Sequence, residues 1–177
     1  MKKDLVTHLS FMIAIFILIS LYKDWIRLEF LPFWVGGILG TLMPDVDHLI
    51  YVYLLRPNDA TSLRVSGLLA KREVFKSWDI LANTRRERKD LLLHTAHFQI
   101  LFAIFSFFII TSTGSMLARG LVLAFMLHLL IDQVIDLMET GNLDTWFAKF
   151  PVILDIEQKR WYLIGSAVIL LLLGFFL

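Results

Sequence analysis

The sequence predicts an all-α membrane protein, a polytopic transmembrane helix bundle with about five spans and cytoplasmic interfacial helices. Hydrophobic residues make up 58% of the 177 residues, and the mean hydropathy is +0.71. Both values lie well above those of soluble domains. Apolar runs recur at close to the roughly 20 residues that cross a bilayer as a helix. We expect residues 1–177 to form a single integral membrane domain.

Five apolar runs are the predicted spans. In chain order they are 5–22, 30–55, 91–111, 116–138 and 161–177, and the second is interrupted by an acidic motif. The basic stretch 56–90 interleaves apolar and cationic residues, a pattern typical of helices that lie in a membrane interface. Membrane lipids with anionic headgroups are therefore the expected partners of that stretch. It contains no nucleic-acid-binding motif.

Lysine and arginine residues are distributed unevenly among the loops. With the N-terminus inside, 14 of the 17 Lys and Arg residues lie in inner segments. This asymmetry is the positive-inside pattern of membrane proteins. The sequence therefore predicts a protein of the cytoplasmic (inner) membrane with its N-terminus inside and its C-terminus outside.

Eight histidine and aspartate residues of the apolar runs fall, by this topology, in the cytoplasmic leaflet. They are His8 in the first run, Asp45, Asp47 and His48 late in the second, His94 and His97 early in the third, and His128 and Asp132 in the inner half of the fourth. Ionisable groups in lipid are costly unless they have a partner, an ion or water. Because four helices bring them to one depth, we expect one shared site.

Spacing and residue type indicate a metal site. His94 and His97 are three residues apart, and His128 and Asp132 are four apart, so each pair shares a face if its stretch is helical. The chain has no cysteine, so the ligands must be nitrogen and oxygen atoms, which suit a divalent metal, most simply Zn or Mn. All eight residues named above are predicted ligands. Asp45 and Asp132 are also the candidate catalytic residues, because a bound divalent metal activates water for hydrolysis.

Each motif also has a structural explanation that the sequence leaves open. The acids of the second run can be wet residues of a turn, and the histidines of the third run can be neutral interfacial imidazoles. His128 and Asp132 can form a buried pair without a metal. For the whole protein, the alternatives are a non-catalytic His/Asp cluster that joins helices, or a metal ion carrier. Transport is disfavoured because the outer halves of the spans offer few polar steps.

The order of these motifs carries a resemblance. Thr7-His8, then Pro44-Asp45-Val46-Asp47-His48, then a histidine-containing helix start, then His128-Leu129-Leu130-Ile131-Asp132 resembles the membrane-bound metal-dependent hydrolase family typified by YdjM. The resemblance covers the first four helices, and it implies metal-dependent hydrolysis. The depth of the site favours a lipid-linked ester or phosphoester as substrate, since a headgroup bond reaches that depth.

Overall fold

Every regular element is helical among the residues that the computed structural model describes, which are 2–84, 88 and 90–177. Across these residues the α-helices are α1 (Lys2–Tyr22), α2 (Leu31–Leu42), α3 (Val46–Ile50), α4 (Ala60–Ala70), α5 (Val74–Asn83), α6 (Ala96–Ser112), α7 (Met116–Thr140), α8 (Asp144–Phe147) and α9 (Ile156–Phe176). The predicted all-α class is confirmed. Arg85, Arg86 and Lys89, which belong to the predicted basic stretch, lie outside the described residues.

Within the described part of the chain, four helical segments are long and apolar enough to cross a membrane: Asp4–Tyr22, Leu28–Leu55, Met116–Thr140 and Ile156–Phe176. The remaining predicted span corresponds to α6, an apolar helix of 17 residues. At 1.5 Å per residue, α6 is about 26 Å long, slightly less than the roughly 30 Å hydrocarbon core of a bilayer. The bundle is therefore consistent with about five spans.

Polar caps set where two of the predicted spans begin. α6 begins at Ala96 rather than at residue 91, and the Thr95 side chain accepts the backbone N–H of Phe98 at 3.3 Å. α9 begins at Ile156 rather than at residue 161, because Asp155 and Gln158 form a reciprocal capping box. Such caps satisfy backbone N–H groups that a helix start leaves without partners.

The second span is one hydrophobic segment but not one continuous α-helix. α2 ends at Leu42, and a tight turn precedes α3. In that turn the Val46 N–H donates to the Met43 carbonyl at 3.1 Å, and the Asp47 N–H donates to the Pro44 carbonyl at 3.0 Å. These bonds span three residues instead of four, so the chain is wound more tightly than an α-helix. The acidic motif therefore leaves the register of α2.

α7 is the central helix of the bundle. In its most apolar window 61% of the residues are buried, compared with 22–33% in the other three membrane-length segments. It contacts α1, α2, α6 and α9. Polar side chains on α7 can therefore meet residues from four other helices.

The α2–α7 contact is close enough for backbone to touch backbone. A Cβ added at Gly36 would overlap the Leu117 carbonyl, and one added at Gly40 would overlap the Leu121 carbonyl. The Gly36–Gly40 spacing therefore has the helix-packing role that the GxxxG pattern indicates. This contact fixes the position of α2, which leads into the acidic motif, against the first two turns of α7.

The basic stretch forms a helical hairpin, α4 and α5, joined by a turn in which Arg72 has a left-handed φ of 59°. Val65 on α4 and Leu81 on α5 are buried together with Val52 of the second span. The outer side of the hairpin exposes apolar groups, with Phe75 79% exposed. The hairpin is thus packed on the end of the second span and leaves an amphipathic surface uncovered.

Two charged side chains contact carbonyl groups at the end of α9, on one side of the bundle. Lys23 Nζ donates to the Phe175 carbonyl at 2.9 Å, and Arg119 Nη1 donates to the Leu177 carbonyl at 3.2 Å. The end of α1, the start of α7 and the end of α9 therefore lie together. The predicted site residues of α1 and α7 lie toward the opposite ends of those helices.

Candidate metal centre

The Asp132 carboxylate on α7 is surrounded by three imidazoles. His8 Nε2 lies 3.0 Å from Asp132 Oδ1. His94 Nε2 and His128 Nε2 lie 3.1 and 3.3 Å from Asp132 Oδ2. All four residues are buried. The structure thus brings together predicted site residues from α1, from α7 and from the segment that precedes α6.

Two of these rings are held by backbone carbonyl oxygens. His8 Nδ1 lies 2.8 Å from the carbonyl oxygen of Asp4, and His128 Nδ1 lies 2.7 Å from that of Thr41. A carbonyl oxygen can only accept, so each Nδ1 carries the hydrogen and donates it. In a neutral ring Nε2 then presents its lone pair. Outer oxygens impose this same tautomer on metal-binding histidines.

Asp47 holds the third ring. Its carboxylate accepts the backbone N–H groups of Leu92, Leu93 and His94 at 3.1, 2.7 and 3.2 Å. It also lies 3.1 Å from His94 Nδ1. The sequence predicts Asp47 as a direct ligand, but its oxygens are occupied by these donors. Asp47 therefore orients His94 from outside the cluster and directs the His94 Nε2 toward Asp132.

The resulting arrangement places acceptors against acceptors. His94 Nε2 and His128 Nε2 are buried and have no hydrogen-bond partner, and both face a carboxylate, which when ionised has no hydrogen to donate. Buried polar atoms without complementary partners are destabilising, and the low dielectric of the interior increases the cost. A cation among these groups, either a proton or a metal ion, removes the conflict.

The distances fit a metal ion. One ligand atom from each of His8, His128 and Asp132 lies within 4.8 Å of the others. Ligands at the usual distance from a tetrahedral zinc ion are about 3.3 Å apart, close to the 3.0 and 3.3 Å that separate the two Nε2 atoms from Asp132. This buried group can therefore hold a metal ion, and its nitrogen and oxygen donors suit several divalent metals.

Asp45 lies at the edge of the cluster. Its Oδ1 is 3.8 Å from His128 Nε2, and its side chain is 31% exposed, whereas that of His128 is 2% exposed. Asp45 also lines a cavity that adjoins the cluster. This carboxylate is thus both close to the buried group and accessible from the cavity.

The two remaining predicted ligands contact other groups. His48 Nδ1 lies 3.3 Å from Nε of Arg88, and the His48 ring stacks on that of His94 at 5.4 Å between centroids. The His97 ring packs against Phe150 at 4.7 Å. His48 therefore borders the cluster, whereas His97 is directed toward the aromatic residues that follow α8.

The cavity beside the cluster has a volume of about 440 Å³. His8, Asp45, His128 and Asp132 form its polar end. Most of the remaining wall is apolar and comes from the second span and the α4–α5 hairpin, including Leu42, Val46, Leu49, Tyr53, Trp78 and Leu81. The site therefore opens into a space with one polar end and apolar sides.

Three groups that shape this site are not evident from the sequence. Two of them are the backbone carbonyls of Asp4 and Thr41, which every residue type carries; only the four-residue spacing of Asp4 and His8 indicates that these two residues can meet on a helix. In the sequence Arg88 is one of several basic residues of the stretch 56–90, but in the structure it is only 3% exposed. The sequence alone does not show which arginine of a basic run is buried.

Comparison with known proteins assigns no family, so the class of this protein follows from its fold and its candidate site. No family model, no curated protein and no solved structure matches the chain. The fold and the site define an all-α protein with membrane-length helices and a buried His/Asp group that can hold a metal ion. The resemblance to YdjM-type hydrolases stays a prediction.

Proposed function

We propose that this protein is a membrane-embedded metal-dependent hydrolase that acts on a lipid-linked ester or phosphoester at the cytoplasmic leaflet. The observation that carries the proposal is the set of three imidazole Nε2 atoms directed at the Asp132 carboxylate. A bound divalent metal, Zn or Mn, would supply Lewis acidity and lower the pKa of water. The adjoining amphiphilic cavity provides room for a substrate.

The residues divide into two roles. His8, His128 and Asp132 would hold the ion, since one ligand atom from each lies within 4.8 Å of the others. His94 would orient the Asp132 carboxylate, because its Nε2 lies 3.1 Å from Asp132 Oδ2. Asp45 would act as the base, because its carboxylate is partly exposed to the cavity and lies 3.8 Å from His128. An oxygen of Asp45 can accept the proton of an attacking water and later return it to the leaving group.

The proposed orientation puts the site in the cytoplasmic leaflet and the α4–α5 hairpin in the interface below it. Exposed Arg64, Lys71 and Lys76 on the hairpin favour anionic headgroups. The chain has no cysteine, so a single cysteine at Gly67 reports orientation directly. It should react with a membrane-impermeant maleimide in inside-out vesicles and stay protected in right-side-out vesicles.

Metal analysis tests the proposal. Purified wild-type protein should carry about one divalent ion per chain, and Asp132→Asn should lose most of it, because a direct ligand is removed. Gln133→Asn is the matched control, since Gln133 is the next residue of α7 but contacts Gln99 instead of the cluster. Equal, substoichiometric metal in all three proteins would contradict the proposal.

Activity is the second arm. Chelator-sensitive release of product from a panel of lipid esters and phosphoesters is expected from wild type, with loss in Asp45→Asn despite retained metal. If the cluster only joins helices, Asp132→Asn will reduce folding and no preparation will contain bound metal.

A further inference from the structure

Helix α2 ends just before a proline, and this end has consequences for the metal centre. Pro44 carries no N–H, so it cannot donate to the Gly40 carbonyl, and its ring opposes a helical conformation in the residues before it. α2 accordingly ends at Leu42, and Met43 donates its N–H to the Leu39 carbonyl at 3.0 Å. The last carbonyls of a helix have no donor within that helix. The break therefore leaves carbonyl groups of α2 that need donors from elsewhere.

The Thr41 carbonyl is one of these groups. The backbone hydrogen bonds of the turn after α2 use the carbonyls of Met43, Pro44 and Asp45, and not that of Thr41. Thr41 is 2% exposed, and a buried carbonyl without a donor is costly. His128 on α7 supplies the donor, because its Nδ1 lies 2.7 Å from the Thr41 oxygen. The ring of one helix thus completes the end of another.

The close packing of α2 on α7 brings this carbonyl within reach of the ring. A Cβ added at Gly40 would overlap the Leu121 carbonyl of α7, so the two backbones touch one residue before the carbonyl that His128 uses. His8 differs in this respect, since its Nδ1 lies 2.8 Å from the carbonyl oxygen of Asp4 in its own helix. The acceptor for His8 comes from α1 itself, whereas the acceptor for His128 depends on where a different helix ends.

The bond to Thr41 decides which nitrogen of His128 faces the cluster. Because a carbonyl oxygen only accepts, Nδ1 carries the hydrogen, and Nε2 of the neutral ring presents its lone pair. That Nε2 is buried without a hydrogen-bond partner and lies 3.3 Å from Asp132 Oδ2. In the other tautomer Nε2 would carry a hydrogen and could not bind a metal ion. The end of α2 therefore prepares a ligand that α7 carries.

We propose that Pro44 is a positioning residue of the metal centre, because it ends α2 and so leaves the Thr41 carbonyl to hold the His128 ring by Nδ1. The inference rests on the proposed function and adds to it a requirement for the helix break in the second span. The role of Pro44 differs from the roles of its acidic neighbours, since its own side chain has no atom that binds an ion.

Replacing a backbone amide by an ester tests the carbonyl directly. Leucic acid, the hydroxy acid analogue of leucine, in place of Leu42 turns the Thr41 carbonyl into an ester carbonyl, which is a weaker acceptor. Competition with a metal-binding dye should then show an affinity for zinc that is about tenfold lower, the smaller cost of losing an outer partner of a histidine ligand. Leucic acid in place of Leu39 is the matched control, because it changes the same helix but weakens the Ile38 carbonyl. An unchanged affinity with the ester at Leu42, or equal losses with both esters, overturns the inference.

Pro44→Ala tests the helix break. The variant has an N–H at this position, so α2 can continue and the Asp45 N–H can take the Thr41 carbonyl. NMR spectra of the histidine ring nitrogens in metal-free protein, with the His128 signal assigned by its loss in His128→Gln, should place the hydrogen on Nδ1 in wild type. In Pro44→Ala it should lie on Nε2 or exchange between the two nitrogens. Pro32→Ala is the control, since a proline in the first turn of α2 costs no hydrogen bond.

Failure of this inference and failure of the proposed function give different results. A His128 hydrogen on Nε2 in wild type, or an unchanged tautomer and zinc affinity in Pro44→Ala, refutes the positioning role and leaves the hydrolase. Wild type that binds no zinc refutes the hydrolase, and the tautomer of His128 then decides by itself whether the end of α2 holds the ring. Thermal midpoints show whether each protein is folded. If Pro44→Ala does not fold, the pair of ester proteins decides.

Discussion

Two buried polar clusters begin at adjacent residues of α7 and differ in how well their members complement each other. On one side, Gln133 Nε2 donates to Gln99 Oε1 at 2.6 Å, Gln99 Nε2 lies 3.4 Å from Gln133 Oε1, and the Tyr162 hydroxyl donates to Gln99 Oε1 at 2.6 Å. On the other side, Asp132 faces the Nε2 atoms of His8 and His128, whose rings donate from Nδ1 to backbone carbonyls. The first cluster pairs donors with acceptors, and the second pairs acceptors with acceptors.

Burial does not separate the two clusters. Gln99 and Gln133 are 2% and 0% exposed, and His128 and Asp132 are both 2% exposed. What separates them is the need for something further: the amide cluster is satisfied by its own members, whereas the His/Asp cluster requires a cation. A self-complementary cluster joins helices, whereas a cluster that needs a cation can hold a metal ion. Four predictions, from the largest expected effect to the smallest, test this distinction.

Removing metal should have the largest effect. A ligand that is present at a hundredfold excess over its dissociation constant stabilises the folded state by about 2.7 kcal/mol. A chelator should therefore lower the thermal unfolding midpoint of purified protein, and added zinc or manganese should restore it. The same chelator should leave the midpoint of Asp132→Asn unchanged. If chelator does not change the midpoint of wild type, the His/Asp cluster needs no metal ion and resembles the amide cluster in this respect.

Asp47→Asn should weaken metal binding by about 10- to 100-fold, the usual cost of losing an outer partner of a metal site, because Asp47 holds His94 in place against the proposed ligand Asp132. The amide keeps one acceptor oxygen, but Asp47 serves three backbone N–H groups and His94 Nδ1. Competition with a metal-binding dye measures the affinity. Asp79→Asn is the control, because Asp79 is exposed on α5. An unchanged affinity in Asp47→Asn would mean that the position of His94 does not affect the metal site.

Gln133→Leu should destabilise the fold by about 1–2 kcal/mol, because it leaves the Gln99 amide with buried groups unpaired. The loss should be the same with and without chelator, since this cluster needs no ion. Reversible unfolding in mixed micelles gives both values. A loss that appears only in the metal-bound protein would show that the two clusters are coupled through α7.

Asp90→Asn should have the smallest effect. Hydrogen bonding and charge attraction from Arg56, at 2.6 Å, hold the Asp90 pKa below its ordinary value. A lowered folded-state pKa gives stability that is present above the unfolded pKa and is lost as the pH falls through the folded pKa. Because the pair is exposed, the loss should be under about 1 kcal/mol. Unfolding curves of wild type and variant should differ at pH 7 and converge in acid.

The apolar runs were sufficient to predict the helical class, and their alternating direction predicted a common end for most of the polar residues. The length of an apolar run is informative because it depends on the membrane and little on the fold. The four-residue spacing of His128 and Asp132 also predicted a shared face, since both lie within a regular helix, α7.

Roles that depend on local breaks could not be predicted. A shared face for His94 and His97 requires both residues to be helical, but α6 begins at Ala96. His94 therefore belongs to the non-helical segment whose N–H groups donate to Asp47. Its ring contacts Asp47, whereas the His97 ring packs against Phe150. The turn at Pro44 likewise takes Asp47 out of the register of α2. Apolar periodicity cannot specify the direction of a side chain at a helix break.

The contacts of the His/Asp cluster join residues that are far apart along the chain. His8 and Asp132 are separated by 124 positions, and Thr41 and His128 by 87. α7 supplies both Asp132 and His128, whereas their partners His8 and Thr41 belong to earlier helices. An Asp132 without partners would be costly in lipid. We therefore expect the cluster to assemble only when α7 packs against α1 and α2, so that one late helix in chain order completes the site.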